Sequence, residues 1–233
     1  MKVYYRFSFN IMPHADGTAR PSPNRPDWFD KWKCLKNFTQ VFNHRDIAII
    51  ADGVTDEVWE HLNATYPTLD LHRTDYKCNA GAFLYSVDLA LGLLDDTIVY
   101  FVEDDYIHHE GSDLILEQGL SICPYVSLYD HPDKYASPTP SRIFMTDDVH
   151  WRTTGSTTMT FATRVGSLRQ DKDLFYKWCG GDDKWTHDFQ LFTAISETKG
   201  LITPIPGYAT HCDTWVIGHM VDWKDVLDRT TSS

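Results

Sequence analysis

Three acidic residues stand directly after an apolar segment near the middle of the chain. Residues 98–102 read Ile-Val-Tyr-Phe-Val, and Glu103, Asp104 and Asp105 follow without a gap. A buried strand tolerates apolar residues on both faces, whereas adjacent carboxylates repel one another unless solvent or a cation reaches them. Carboxylate oxygens suit Mg2+ or Mn2+, and such an ion can hold the phosphates of a nucleotide. The pattern predicts a divalent-metal site at a strand end, and the alternative is a solvated acidic turn.

Two more polar residues follow predicted strands in the first half of the chain. Asp52 comes directly after residues 47–51, and Asn79 opens a helix after the strand at 69–72. In open α/β sheets, ligands bind outside the carboxyl ends of the strands, so these side chains and the acidic triplet are expected on one rim. Taken singly, Asp52 is also explained as a turn residue and Asn79 as a helix cap.

The elements that must position these residues alternate between strand and helix up to about residue 110. This alternation predicts a parallel sheet with covering helices. The predicted strands are 3–9, 47–51, 69–72 and 98–102, and the predicted helices are 28–42, 55–66 and 79–94. Beyond residue 110 we predict a helix at 112–122, strands at 125–129, 142–146, 157–163 and 202–204, and a helix that contains His187 and Asp188. We find no internal repeat and no linker, so we expect one α/β domain over residues 1–233.

Composition excludes several classes of protein. The chain has 233 residues, of which 42% are hydrophobic and 14% aromatic, and this excludes a disordered chain. The net charge of −12 disfavours binding to nucleic acid. Five cysteines without a C-x-x-C pair favour a reducing compartment, and the chain begins in a strand without a leader. No run approaches the ~20 apolar residues that span a bilayer, so we expect a cytoplasmic protein without a transmembrane segment.

The order of these motifs resembles the nucleotide-sugar-dependent glycosyltransferases of GT-A fold, particularly the large inverting family with a D-x-D motif. The resemblance rests on Ala-Asp52-Gly, on Asn79-Ala-Gly and on Val-Tyr-Phe-Val-Glu103-Asp104-Asp105. It covers about residues 1–215 and is strongest over 46–106. More distantly, the chain is similar to the small glycosyltransferase domain at the N-terminus of a chlorovirus multidomain enzyme.

The resemblance implies a single GT-A, Rossmann-like domain with a mostly parallel central sheet flanked by helices and a smaller β-rich acceptor part. Residues 1–110 would form the nucleotide-binding half and 111–233 the acceptor and catalytic half. It also implies that Asp52 contacts the nucleoside of the donor, with Asn79 and Asp104 beside it. Glu103 and Asp105 would tie Mn2+ or Mg2+ to the diphosphate, and Asp105 is the stronger candidate because the motif here begins with Glu.

Two residues of the second half complete the implied site. Asp188, in Thr-His-Asp188-Phe, resembles the general base of the family at a helix start, where it would take the proton of the acceptor hydroxyl. Asp182 and Asp183, after Gly-Gly, compete for this role, and Asp188 alone is also explained as a favourable first-turn charge. His211 follows the last strand, where some related enzymes place a histidine that completes the coordination of the metal, and the alternative is a structural or solvated histidine.

The leading function is therefore transfer of a sugar, a hexose or deoxyhexose, from a nucleotide-diphosphate sugar to a carbohydrate or glycan acceptor. The resemblance puts an acceptor-facing strand in the hydroxyl-rich stretch 151–163, with Trp151 for stacking, and the alternative is that these threonines merely suit a strand. Two alternatives remain open: a metal-dependent phosphohydrolase or nucleotidyltransferase, which also needs carboxylates around a cation, and a non-catalytic sugar-binding module.

Overall fold

Eleven strands and nine helices lie in the part of the chain that the computed structural model describes, which is residues 1–8, 25–137, 140–182 and 184–232. The strands are β1 (Lys2–Ser8), β2 (Asp46–Asp52), β3 (Asp70–Thr74), β4 (Ile98–Glu103), β5 (Tyr106–His108), β6 (Tyr125–Val126), β7 (Ile143–Met145), β8 (His150–Thr153), β9 (Phe161–Arg164), β10 (Leu201–Ile205) and β11 (Ala209–His211). The helices are α1 (Lys31–Val41), α2 (Asp56–Thr65), α3 (Asn79–Leu91), α4 (Ser112–Leu120), α5 (Asp133–Ala136), α6 (Val165–Gln170), α7 (Lys172–Cys179), α8 (Asp188–Thr198) and α9 (Trp223–Thr231).

Nine of these strands form one sheet in the order β3-β2-β1-β4-β9-β6-β10-β8-β7. The first four strands in this order are mutually parallel. Their carboxyl ends therefore meet at one edge, where Ser8, Asp52, Thr74 and Glu103 lie. The predicted α/β class, with a largely parallel first half and covering helices, is confirmed.

The second half of the chain extends the same sheet. Strand β9 pairs antiparallel with both β4 and β6, while β10 runs parallel to β6 and antiparallel to β8. Strands β5 and β11 form a separate antiparallel pair in which His211 lies opposite Tyr106. This pair brings the end of the chain to the residues that follow β4.

Side-chain alternation along β1 sends residues to two different cores. Tyr5 and Phe7 pack into the larger core beneath α1, which also contains the apolar face of α4. Tyr4 packs into the second core, beneath α3 and α8. Arg6 is two residues after Tyr4 and so faces the second core, where its guanidinium lies 5.2 Å from the centre of the Phe83 ring. A charged side chain is thus carried into the interior close to the end of β4.

Several predicted boundaries need correction. The first helix begins at Lys31 rather than 28, and the third ends at Leu91 rather than 94. The strand expected at 157–163 begins only at Phe161, and the one expected at 125–129 is two residues long. Short elements that the sequence did not indicate, among them β5, β11 and α9, complete the structure. None of the helices in the described ranges is both long and apolar enough to cross a membrane.

Candidate functional site

The three carboxylates at the end of β4 have different partners. Glu103 follows Phe101 on the face of β4 that is packed against α3, and lies opposite Arg6 of β1. Asp104 and Asp105 belong to the turn after the strand, and both are buried. Asp104 contacts the end of β1, whereas Asp105 contacts β11. The sequence brings three acidic residues together, and the fold then separates their side chains.

Glu103 is held by a buried arginine and by an amide. Nη2 of Arg6 lies 3.3 Å from Oε1 of Glu103 and also donates to the carbonyl of Met159 at 3.0 Å. Nη1 of Arg6 donates to the side-chain oxygen of Asn79, and the amide nitrogen of Asn79 donates to Oε1 of Glu103 at 3.1 Å. The contacts with Arg6 and Asn79 fix the side chain of Glu103 at the end of β4.

Asp188 is the first residue of α8 and lies within electrostatic reach of Glu103. The loop before it is joined to α3, because Nδ2 of Asn79 donates to Oγ1 of Thr186 at 3.4 Å. Burial, followed by the charge of Glu103, raises the pKa of Asp188 from 3.8 to about 6. A carboxylate with this pKa is mostly ionised at neutral pH and still basic enough to accept a proton. We call Arg6, Asn79, Glu103 and Asp188 the Glu103 group.

Asp182 and Asp183 are the two alternatives to Asp188 as general base. Asp182 is exposed to solvent, in the turn after α7. Asp183 lies outside the described residues. The structure therefore places Asp188 beside the acidic strand end and gives Asp182 an open, solvated position.

Asp104 is paired with a lysine of α1. Its Oδ2 accepts from the backbone N–H of Ser8 at 2.7 Å and from Nζ of Lys31 at 2.8 Å. The same lysine donates to the carbonyl of Ser8 at 2.5 Å. Burial raises the pKa of Asp104, the neighbouring charge of Asp105 adds to this, and Lys31 offsets part of the rise. Asp104 and Lys31 thus join the end of β4 to the end of β1 and the start of α1.

Asp105 lies between two cationic side chains. Its Oδ2 accepts from Nη2 of Arg25 at 2.6 Å and contacts Nε2 of His211 at 2.9 Å. Burial alone would raise the pKa of Asp105, but His211 and Arg25 outweigh burial and hold the pKa well below its ordinary value. Burial likewise lowers the pKa of His211, and Asp105 more than restores it. We call Arg25, Asp105 and His211 the Asp105 group.

The fit of these residues to a divalent cation is centred on Asp105. Its second oxygen, Oδ1, is buried and has no hydrogen-bond partner. Nδ1 of His211 is also buried without a hydrogen-bond partner. An unpaired carboxylate oxygen beside an imidazole is a donor set that suits Mn2+. Glu103 and Asp104 are engaged by Arg6 and Lys31 instead. Within the described ranges, no three His, Cys, Asp or Glu side chains already converge as a metal-binding group.

Asp52 organises the loop between β3 and α3. Its Oδ1 accepts from Oγ1 of Thr74 at 2.9 Å and from the backbone N–H of Tyr76 at 2.8 Å, and its Oδ2 accepts from the backbone N–H of Cys78 at 3.2 Å. The side chain is almost completely buried. These bonds place Asp52 under the loop that leads to Asn79, and its contact with a nucleoside stays a prediction.

The expected acceptor-facing stretch differs from its prediction. Trp151 is fully buried, packs into the larger core and donates from Nε1 to Oγ1 of Thr146 at 2.9 Å. Its ring is therefore unavailable for stacking on a sugar. Thr157, Thr160 and Thr163 are buried as well, whereas Gly155 in the loop between β8 and β9 is exposed.

Arg6 is the functional residue that sequence reasoning missed. The signal was present, since Arg6 is a single charge within the strand sequence Val-Tyr-Tyr-Arg-Phe. A buried arginine in such a strand requires a carboxylate partner. The structure also places Arg25 and Lys31 against the acidic triplet, through Asp105 and Asp104.

Comparison with known proteins finds similarity in structure alone. No protein-family model matches the chain, and no curated protein matches its sequence. The crystal structure of the glycosyltransferase GlyE from Streptococcus pneumoniae TIGR4 is similar with a TM-score of 0.52 and 8% identity, over 99% of this chain and 63% of GlyE. HddC from Yersinia pseudotuberculosis is similar with a TM-score of 0.51 and 8% identity, over 98% of both chains. The galactosyltransferase LgtC has a TM-score of 0.47 and 10% identity, over 87% of this chain and 73% of LgtC.

These similarities concern the fold. The chain spans less than two thirds of GlyE, and at identities this low a shared fold carries no information about the substrate. The expected GT-A, Rossmann-like fold is confirmed: a large central sheet flanked by helices, as in the glycosyltransferase GlyE.

Proposed function

We propose that this chain transfers a sugar from a nucleotide-diphosphate sugar to a hydroxyl group of a carbohydrate acceptor. The observation that carries the proposal is the position of Asp188, a carboxylate with a pKa of about 6, beside the acidic end of β4 at the carboxyl edge of four parallel strands. Ligands bind at this edge in open α/β sheets. The fold shared with GlyE supports the same reaction class.

In this proposal, Asp188 is the general base. The acceptor hydroxyl loses its proton to Asp188 as its oxygen attacks the anomeric carbon, and the nucleoside diphosphate leaves from the opposite side, which inverts the anomeric configuration. Burial and the charge of Glu103 keep the pKa of Asp188 high, and Arg6 and Asn79 hold Glu103 in place. The transferred sugar is a hexose or a deoxyhexose.

The donor is proposed to bind across the ends of β2 and β4. Asp52 supports the loop before Asn79 and contacts the nucleoside, while Asn79 and Asp104 border the donor. Arg25 and Lys31 lie where cationic side chains could contact the diphosphate. Their present partners are carboxylates of the protein, so donor binding requires an exchange of ion-pair partners.

We further propose that Asp105 and His211 hold a divalent cation, Mn2+ or Mg2+. The support is that Oδ1 of Asp105 and Nδ1 of His211 are both buried without a hydrogen-bond partner, while Oδ2 of Asp105 contacts Nε2 of His211 at 2.9 Å. When bound, such an ion neutralises negative charge that develops on a departing diphosphate. Glu103 is the weaker ligand, because Arg6 and Asn79 already occupy its Oε1.

A cytoplasmic location is proposed from the cysteines. All five are free and at most 9% exposed, and four of them lie within the three cores that the described residues form. Unpaired thiols are typical of proteins from reducing compartments.

The experiment that tests the proposal is calorimetric titration with nucleoside diphosphates of the different bases, with and without Mn2+. We expect one nucleotide to bind the wild-type protein more tightly in the presence of Mn2+. The variant Asp105→Asn should lose at least tenfold of this affinity, because the amide is a poor ligand for the cation.

Asp113→Asn is the matched control. Asp113 is also buried and paired with cationic side chains, Arg45 and His44, but it lies on α4. Its variant should bind nucleotide as the wild type does. The proposal is contradicted if no nucleoside diphosphate binds, and its metal component is contradicted if Asp105→Asn keeps the full response to Mn2+.

A further inference from the structure

The two edges of the nine-stranded sheet present different side chains. One edge is β3, which carries the ionisable residues Asp70, His72 and Arg73, and both Asp70 and Arg73 form ion pairs. The other edge is β7, which reads Ile-Phe-Met and carries no charge. Charged side chains on an edge strand oppose pairing with a strand of another molecule, whereas an apolar edge allows it. The β7 edge therefore lacks the protection that the β3 edge has.

The backbone of β7 has hydrogen-bonding groups that point away from the sheet. The carbonyl of Arg142 accepts from a backbone N–H of β8, and the N–H of Thr146 donates to the carbonyl just before β8, both at 3.0 Å. Residues of an antiparallel strand bond alternately towards one side and the other. Phe144 thus bonds towards β8, and the peptide groups of Ile143 and Met145 face outwards. Within the described ranges, β7 pairs with β8 alone.

Apolar side chains accompany these outward peptide groups. Ile143 and Met145 are 59% and 68% exposed and lie on one face of β7. Arg152 of β8 lies opposite Ile143 and so shares this face, and its guanidinium is 4.6 Å from the centre of the Tyr135 ring, which is 53% exposed. Several exposed apolar side chains near one another indicate an interaction surface, whereas scattered single ones do not.

The outward edge of β7 is complementary to itself. When two copies pair antiparallel with their Phe144 residues opposite each other, the outward peptide groups of Ile143 meet those of Met145 in the other copy. The same pair forms a second time by two-fold symmetry. Opposite side chains lie on the same face of a sheet, so the two isoleucines and two methionines form one apolar row.

Charge complementarity favours a second copy over an unrelated strand. Arg142 precedes β7, Asp147 lies in the turn after it, and both are exposed. In the register with Phe144 opposite Phe144, residue 142 of one copy is opposite residue 146 of the other. Arg142 is thereby brought beside Asp147 of the other copy, and the symmetry produces this pair twice. A shifted or parallel pairing would lose both attractions.

We propose that two copies of this chain associate through their β7 strands and join their sheets into one. Association stops at two copies, because the outer edges of the joined sheet are the charged β3 strands. Stable dimers bury about 1,200–2,000 Å², which a strand of three residues does not reach, and each copy carries a net charge of −12. We therefore expect a weak dimer with a dissociation constant of about 10–100 µM. The inference does not depend on the proposed transferase function.

Sedimentation velocity of the whole chain, from about 1 µM to 1 mM, tests the association. We expect a shift with concentration from the 26.9 kDa monomer to a species of twice that mass. Ile143→Lys should raise the dissociation constant at least tenfold, because it adds a charge to the edge. Leu94→Lys is the matched control. Leu94 is 77% exposed and precedes β4, which is five strands away from β7, so this variant should associate as the wild type does.

Exchange of the two charges tests the register. Arg142→Glu and Asp147→Arg should each raise the dissociation constant at least threefold, because each replaces two attractions by two repulsions. Asp147→Arg reduces the net negative charge of the chain, so its effect cannot come from general repulsion between copies. The double variant Arg142→Glu/Asp147→Arg should regain the wild-type constant. Both side chains are exposed, so these variants should keep the fold of the monomer, which thermal unfolding checks.

Amide hydrogen exchange identifies the strand that is buried. The N–H groups of Ile143 and Met145 should exchange more slowly as the concentration rises through the dissociation constant. The N–H of Phe144 already bonds towards β8, so its exchange should change much less.

The inference is wrong if the wild type remains monomeric up to about 1 mM or grows beyond two copies. It is also wrong if Ile143→Lys associates as Leu94→Lys does. If the single charge variants associate as the wild type does, or if the double variant does not recover, the proposed register is contradicted.

Discussion

The two sides of the β4 end use the same residue types to opposite effect. In the Asp105 group, two cationic side chains surround one carboxylate and hold its pKa well below the ordinary value. In the Glu103 group, burial and the charge of Glu103 together raise the pKa of Asp188 to about 6. One carboxylate is fixed in its charged form, and the other can gain or lose a proton near neutral pH.

The difference between the pKa values of Asp105 and Asp188 supports different proposed roles for the two carboxylates. Carboxyl groups whose environments move their pKa values apart take different roles in a reaction. Asp105 is suited to hold a cation or to position a charged ligand, because it stays ionised. Asp188 is suited to exchange a proton with the acceptor. The predictions below would break or sharpen this division, and they run from the largest expected effect to the smallest.

Removal of the proposed base should have the largest effect. In Asp188→Asn the amide keeps the shape of the side chain but cannot accept the proton of the acceptor hydroxyl. We expect sugar transfer to fall about 100- to 10,000-fold, while nucleotide affinity stays near that of the wild type. Steady-state transfer assays together with calorimetry measure the two quantities.

The exposed Asp182 supplies the control for that prediction. Asp182→Asn should transfer sugar at the wild-type rate, and the wild-type kcat/KM should decline as the pH falls below about 6, since Asp188 then becomes protonated. If Asp182→Asn is inactive and Asp188→Asn is active, the proton is accepted in the segment after α7. The proposed role of Asp188 as general base would then be wrong.

Removal of the cation in the Glu103 group should weaken the fold. Arg6→Met leaves Glu103 partly buried beside Asn79 without its charged partner, which should lower the free energy of unfolding by roughly 3 kcal/mol. Lys2→Met is the control on the same strand. Lys2 pairs with Asp46 and Asp70 at the surface, so its loss should cost only about 0–1 kcal/mol. Urea denaturation measures both values, and equal losses would show that Arg6 has no special structural role.

Removal of Asp52 tests the support for the loop before Asn79. Asp52→Ala leaves the N–H groups of Tyr76 and Cys78 without their acceptor, which should cost about 2 kcal/mol of stability. Nucleotide affinity should fall about tenfold, while the response to Mn2+ remains. Asp46→Ala, at the exposed start of the same strand, is the control for both measurements. An unchanged nucleotide affinity in Asp52→Ala would limit this residue to a structural role.

The smallest predicted effect is a pH-dependent difference in stability. Because the pKa of Asp188 is about 6 in the folded protein and lower in the unfolded chain, folding favours its protonated form. The stability it contributes is present below its unfolded pKa and is lost as the pH rises through about 6. Asp188→Asn should therefore be more stable than the wild type by about 1–2 kcal/mol above this pH, with the difference vanishing in acid. A constant difference across the range would contradict the raised pKa.

The sequence predicted the parallel half of the fold because its elements are local. Apolar runs such as residues 98–102 and the alternation of strands with capped helices identify β1 to β4 directly. Thr55 is the N-cap of α2, and its hydroxyl accepts from the N–H of Val58 at 3.3 Å. The later strands are two to five residues long and pair with distant segments. Their alternation of apolar and polar residues is too short to predict a strand from the sequence.

The candidate site was predicted only in part, for a similar reason. The acidic triplet is contiguous and easily recognised, but the partners of Asp105 are 80 and 106 residues away in the chain. Trp151 was expected at the surface, yet a tryptophan in a strand of this sheet packs into the core. The pKa of Asp188 depends on Glu103, which only the tertiary fold brings near.

The central claim is that the β4 end transfers a sugar and releases a nucleoside diphosphate. Phosphorus NMR of the purified protein with nucleotide-diphosphate sugars and an acceptor glycoside tests it most directly, with Asp188→Asn as the inactive reference. The account predicts that the nucleoside diphosphate accumulates with the wild-type protein and barely with Asp188→Asn. Release of nucleoside monophosphate and sugar phosphate, as from a phosphohydrolase, or of inorganic diphosphate from a nucleoside triphosphate and a sugar phosphate, as from a nucleotidyltransferase, would contradict it.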